Sequence, residues 1–268
     1  MGCFLISICY DSELRNPKKS NILPIHPQQL ADWYSSSLGK KLAYCEQNLL
    51  DEVLPDLFGY HFLQVGAMVP SLLSASRMMH KVSMCEDMTL GSSCDLHGLV
   101  EHLPVQPDCI DAVLHYHSLE FAQDPRQVLR ETERVLVPEG SVIIMGFNPV
   151  SMWGLRRSIS KVTTAPWNGH FLSNNRVKDW LELLGFEIRM TQHYFFRPPL
   201  NNTGLLDRLN FLELWGRRCC PIVGAAYILV ARKKVSTMTP IKPRWRPKRS
   251  VVSGLGGAAS RSFKPNAR

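Results

Sequence analysis

A chain of 268 residues with 45% apolar side chains can bury a full core in one large domain with extensions, and no apolar run reaches the ~18 residues a membrane span needs. The net charge of +8 is unevenly placed: after Glu213 come 13 Lys or Arg and no acid, leaving 18 basic against 23 acidic residues before it, a net of −5. The basic character belongs to the C-terminal end and not to the main body.

The opening "MGCFLISICYDSE" lacks a basic n-region and soon turns acidic, so no secretory signal is expected. Ile6-Ser7 misses the spacing of a myristoylation signal. Residues 1–30 read as an irregular extension, 31–234 as the folded domain and 235–268 as a basic, disordered tail. The eight cysteines are single apart from Cys219-Cys220, with no C-x-x-C pair and no Cys/His cluster at zinc spacing. Buried reduced thiols in a cytoplasmic protein, and no metal site, are expected.

Apolar residues at three- and four-residue spacing predict a helix over 28–58, closed by Pro55 and Gly59. "HFLQVG" (61–66) is a buried strand, followed by a helical pattern at about 70–79, a strand "KVSMC" before Glu86, and a weak strand near 93–97. "DAVLHYH" from Asp111 is an apolar strand, and Asp124-Pro125 starts a helix. Pro138-Glu139-Gly140 reads as a turn into the strand "SVIIMGF". Strand, helix and strand with short connections imply a parallel pair. "RVKDWLELLGF" (176–186) is an amphipathic helix ended by Gly185, and "EIRMTQHYFF" an alternating strand. A helical "LLDRLNFLELWGRR" precedes the last strand, "AAYILVARK". The alternation of strands and helices predicts a doubly wound α/β fold.

Within that pattern, Leu103-Pro104, Asp111, His117-Ser118-Leu119-Glu120, Leu129-Arg130-Glu131, Arg134-Val135-Leu136, Pro138 and Gly140 fall in one order and spacing. The stretch resembles the central segment of class I S-adenosylmethionine-dependent methyltransferases of the type 11 family. "GFNPVSMWGLRR", "YFFRPPL" and "TPIKPRWRPKR" look like a small bacterial branch of that family. The resemblance implies a Rossmann-like seven-stranded sheet with the last strand antiparallel, and S-adenosylmethionine as cofactor. It names no methyl acceptor. Asn148-Pro149 superficially matches an amino-group nucleic-acid methyltransferase signature, but it follows the fifth strand and lacks that signature's second proline and tyrosine.

In the resembled family the first loop reads roughly D-x-G-x-G-x-G, whereas this chain has Gln64-Val65-Gly66-Ala67-Met68-Val69-Pro70. Only Gly66 remains, and Pro70 cannot adopt positive φ, so the loop takes another path. The cofactor carries no pyrophosphate, which lightens the need for a full nest of amides. Glu86, about twenty residues on, is either the ribose carboxylate or a solvated loop acid. Where the family often places an adenine-binding Asp stands Leu99, able to pack on the ring, and Val100 offers backbone groups. These substitutions predict weakened cofactor binding and keep a catalytically silent relative in view.

His115, Tyr116 and His117 end the fourth strand, at the edge where open α/β sheets bind ligands. His117, matching the family histidine, either lines the methyl site and assists deprotonation or pins its loop by hydrogen bonding. Asp111, at the opposite strand end, is expected to brace. Two function classes follow: a methyltransferase acting on an unidentified acceptor, and a non-catalytic binding or assembly protein on the same fold. In the tail, Lys242, Arg244, Arg246, Lys248 and Arg249 surround Trp245, which suits either a solvated segment or a nucleic-acid contact by phosphate attraction and base stacking.

Overall fold

The structure is a computed structural model that describes residues 27–66, 72–86, 94–159, 166–199 and 221–235, with single positions at Gly216 and Arg218. Among the continuously described stretches, the α-helices α1 (Pro27–Tyr34), α2 (Ser37–Val53), α3 (Pro125–Val135), α4 (Met152–Ile159) and α5 (Asn174–Leu183) accompany one sheet. Its strands are β1 (His61–Gly66), β2 (His80–Cys85), β3 (Leu96–His97), β4 (Ile110–Tyr116), β5 (Leu136–Phe147), β6 (Phe186–Tyr194) and β7 (Ala226–Lys233). The order is β3-β2-β1-β4-β5-β7-β6. β1 to β5 pair in parallel, and β7 lies antiparallel between β5 and β6. This is the seven-stranded doubly wound sheet that the sequence predicts, with its antiparallel final strand.

The two-residue alternation of the strands divides the core. Phe62, Ala112, Leu114, Tyr116, Ile143, Met145 and Ile228 face α1 and α2, whose stripe is Leu30, Leu38, Leu42, Leu49, Leu50 and Val53. Leu63, Val65, Val113, Val142, Ile144 and Leu229 face the other way, onto Val128, Leu129 and Val135 of α3 and Val177 and Leu181 of α5. Both faces are covered, as a largely parallel sheet requires.

Local chemistry sets the ends of several elements. The predicted single helix at 28–58 is two, because Ser36 leaves the helical region and its hydroxyl accepts from the Gly39 amide, starting α2. Asp124 caps α3 by accepting from the amides of Arg126 and Gln127, with Pro125 in the first turn. Gly185 at φ +84 follows the end of α5.

Two expectations are corrected. Residues 72–79 form turns and bends, not a helix. Pro138-Glu139-Gly140 is no turn between elements but an irregularity inside β5: Glu139 sits at φ +66, and pairing slips from Ile110–Leu136 to Ala112–Ser141. The predicted helix at 205–218, apart from Gly216 and Arg218, and the tail from 236 onward lie outside the described residues.

Candidate functional site

The C-terminal ends of β1, β2, β4 and β5 share one sheet edge, at Gly66, Cys85-Glu86, Tyr116-His117 and Phe147-Asn148. On β1, Gly66 has φ +115, and a side chain there would meet the Tyr116 carbonyl oxygen at 2.3 Å. Its lack of a side chain is therefore demanded by β4 as well as available to a ligand. Met68 and Pro70 lie outside the described residues.

Glu86 directly follows β2 and keeps an exposed flank. Its Oε1 accepts from the Val100 amide at 3.1 Å, joining β2 to the segment after β3. Partial burial of the carboxyl pushes its pKa up, the Val100 amide pulls it down and Glu101 adds to the rise. Leu99, beside it, is 59% exposed, while Val100 is buried. A carboxylate with a second oxygen to offer, next to an open apolar side chain, suits a ribose diol and a flat base.

His115 turns to the opposite face. It is fully buried, with Nδ1 2.9 Å from Ser118 Oγ and Nε2 2.7 Å from Thr132 Oγ1. Thr132 donates its own hydroxyl to the Val128 carbonyl, so it accepts from Nε2–H and leaves Nδ1 to accept from Ser118. Burial pulls this imidazole down to about 4, and it stays neutral. It ties β4 to α3.

Tyr116 and His117 face α2 and meet Glu46, a fully buried carboxylate. Glu46 Oε1 accepts from His117 Nε2 at 3.0 Å and from the Tyr194 hydroxyl at 3.0 Å. Its Oε2 accepts from the Tyr34 hydroxyl at 3.2 Å and from Tyr116 in a very short bond. His117 Nδ1 lies 3.3 Å from Glu120 Oε1, which also accepts from the Phe147 amide. Burial alone would pull His117 down, but Glu120 and Glu46 outweigh it and hold its pKa at about 9. Desolvation, then the Glu46 charge, pushes all three tyrosines well above their usual range. His117 also sits at φ +52, a left-handed conformation costing about 1–2 kcal/mol in an ordinary residue. With its pKa at about 9 it is an imidazolium at neutral pH, and both of its nitrogens are engaged.

Rings close this network. Phe147 lies 4.2 Å from the His117 ring centroid and stacks on Trp153 and Phe171, with Trp33 edge-on to Phe147, Trp153 and Trp167. Among the described residues Glu120 Oε2, Trp167 Nε1 and Asn168 Oδ1 are buried polar atoms without a hydrogen-bond partner.

Sequence reasoning missed Glu46. Its signal was an acid on the apolar stripe of α2, four residues after Leu42 and three before Leu49. Glu120 stood in the quoted motif without a role. Asn148 supports the dismissal of the nucleic-acid signature: its side-chain amide donates to the Ile222 and Gly224 carbonyls, and its oxygen accepts from the Val150 amide. The reduced-thiol expectation is corrected at one pair, since Cys85 and Cys94 are joined as a disulfide, brought together where β2 runs beside β3. Cys45 and Cys109 are half-buried. Among the described residues no group of three or more His, Cys, Asp or Glu is placed to hold a metal ion, and no helix is long and apolar enough to cross a membrane.

Residues 72–144 match the methyltransferase type 11 family, described as a methyltransferase domain. The Escherichia coli (strain K12) protein YafS, itself uncharacterized, is 27% identical over 237 residues, 88% of this chain and 94% of its own. A S-adenosylmethionine-dependent methyltransferase from Thermotoga maritima superposes with a TM-score of 0.57 at 17% identity, covering 78% of this chain and 98% of that one. A chain from the complex between the Haloferax volcanii Trm112 methyltransferase activator and a methyltransferase gives 0.55 at 13% identity, covering 78% and 97%. The fold is that of the class I methyltransferases, and S-adenosylmethionine is the cofactor that the family implies.

Proposed function

We propose, for this chain with a class I methyltransferase fold and a type 11 methyltransferase segment, that it transfers a methyl group from S-adenosylmethionine to an acceptor held beside the buried His117–Glu46–Glu120 cluster. The carrying observation is the convergence at one sheet edge of Gly66, of the Glu86–Val100 contact with exposed Leu99, and of the strained His117. Glu86 would take the ribose hydroxyls through its second oxygen. Leu99 would cover one adenine face, and Gly66 would leave room for the methionine part. Bound there, the cofactor supplies a methyl group already activated by its sulfonium, so the protein's task is alignment, worth about 7–11 kcal/mol in favourable cases. His117 is a positioning residue in this arrangement: its imidazolium is clamped by Glu46 and Glu120 and orders the end of β4. His115, bonded toward α3, has no part in the site.

The substituted glycine loop and the absent adenine carboxylate motivate weak cofactor binding. Isothermal calorimetry with S-adenosylmethionine and S-adenosylhomocysteine, with NAD(H) as control, tests the reading. Heat from the two sulfur ligands alone is expected, and folded protein that gives none at millimolar ligand refutes it. The second reading, a protein that binds on this fold without transferring, draws on the sealing of His117, whose two nitrogens are both committed. Slow formation of S-adenosylhomocysteine that rises on adding a methyl acceptor separates the two. The nucleic-acid reading of the tail concerns basic residues outside those described, and its test is whether removing 235–268 abolishes salt-sensitive RNA or DNA binding.

A further inference from the structure

In the Glu46 cluster every carboxylate oxygen but one is hydrogen-bonded. Both oxygens of Glu46 accept two hydrogen bonds each, His117 gives both of its N–H groups, and Glu120 Oε1 accepts from His117 and the Phe147 amide. Among the described residues, one side-chain oxygen of this network has no hydrogen-bond partner, Glu120 Oε2, on a side chain 2% exposed. A buried carboxylate oxygen left without a partner is costly, and a site that keeps one calls for an explanation. Its surroundings point the same way. The His170 amide donates to the Glu120 carbonyl at 2.7 Å, which ties the 166–170 turn to Glu120. That turn carries two further unpartnered polar atoms, Trp167 Nε1 and Asn168 Oδ1.

We propose that Glu120 Oε2 is the group that receives the methyl acceptor, and that the acceptor is an amine. An N–H is the complement of an unpartnered carboxylate oxygen, and charge selects the amine over other donors. Two carboxylates in the network face one imidazolium, an excess of one negative charge. Arg156 and Arg157 lie over the rings of Trp167 and Phe171 at 4.4 and 5.3 Å, and their guanidinium groups donate to the Pro199 and Trp167 carbonyls. With His117 already doubly protonated and occupied, the proton acceptor falls to Glu120. One N–H bond of the bound ammonium breaks, its electron pair stays on nitrogen as the nucleophilic lone pair, and the proton moves to Oε2.

This inference rests on the methyl-transfer reading, and one experiment tests the two separately. Full-length protein is melted with S-adenosylhomocysteine alone and then with a panel of aliphatic, benzylic and indolyl amines, each paired with its alcohol isostere. The expected result is a stabilising shift from S-adenosylhomocysteine and a further shift from at least one amine, at tenfold lower concentration than from its alcohol. Glu120→Gln should remove the amine's advantage and leave S-adenosylhomocysteine affinity within twofold. No shift from S-adenosylhomocysteine overturns the methyl-transfer reading itself. A shift from it with no amine surpassing its alcohol overturns only the inference, and that comparison needs no variant. An amine preference unchanged in Glu120→Gln overturns the assignment to Glu120.

Discussion

Replacing Glu46 by glutamine changes one oxygen into an amide nitrogen and keeps the shape of the side chain. Four donors converge on this carboxylate: His117 Nε2 and Tyr194 at Oε1, and Tyr34 and Tyr116 at Oε2. Whichever way the amide turns, two of them face an N–H group. A buried donor stripped of its acceptor costs about 1–3 kcal/mol, and breaking a buried charge pair from one side costs about 3–5 kcal/mol. We therefore expect Glu46→Gln to destabilise the fold by about 3–5 kcal/mol near pH 6.5.

The pH profile should change too. A histidine held at about 9 against 6.5 unfolded contributes fully below pH 6.5 and loses that contribution as pH rises through 9. The step amounts to about 3 kcal/mol. Tyr34, Tyr116 and Tyr194 are held well above 10, so His117 is the member of the cluster that titrates in this window. With Glu120 alone left to hold the imidazolium, Glu46→Gln should flatten the decline between pH 6.5 and 9. Urea denaturation across that range, followed by tryptophan fluorescence, reads both quantities. A variant within 1 kcal/mol of the parent at pH 6.5, with the parent's decline intact, would refute the account of the cluster.

Glu86→Ala should weaken S-adenosylhomocysteine by about 1–3 kcal/mol in calorimetry, the range for losing a charged hydrogen-bonding partner, and should also lower the melting point because the Val100 amide loses its acceptor. Gly66→Ala places a methyl group against the Tyr116 carbonyl in a left-handed conformation, and a loss of at least about 1–3 kcal/mol in a circular-dichroism melt is expected. Asp111→Ala removes the acceptor of the Tyr60 and His61 amides, at 2.9 and 2.8 Å on the far edge of the sheet. It should cost about 1–3 kcal/mol of stability and leave the affinity for S-adenosylhomocysteine unchanged.

The strands were legible because each carries a buried apolar run bounded by polar or turn residues, a local signal. β7 could be found in the same way, and so could the cap at Asp124. The break between α1 and α2 was hidden because the apolar spacing continues across Ser35-Ser36, and only the Ser36 cap reveals it. The Leu72–Met79 stretch carries enough apolar residues to imitate a helix, yet Leu72 and Met78 are buried from a chain of turns. The site was legible only as positions along a strand edge. His117 was found, but its state was not, because Glu46 lies 71 residues before it and Tyr194 is 148 residues from Glu46. No window along the chain shows that four such side chains meet, and it is their meeting that makes His117 a cation.

The antiparallel β7 also sets an order of assembly. It pairs with β5 on one side and β6 on the other, and β6 reaches the sheet through it. A nascent chain that has left the ribosome only as far as Tyr194 therefore holds β5 with a bare edge and β6 with nowhere to dock. That intermediate exposes two unpaired strand edges, the surfaces most apt to join those of neighbouring chains. Tyr194, the last residue of β6, is also a donor to Glu46 on α2. The buried cluster then waits for Ala226–Lys233 to be synthesised, so α2, translated before β1, acquires its final partner among the last.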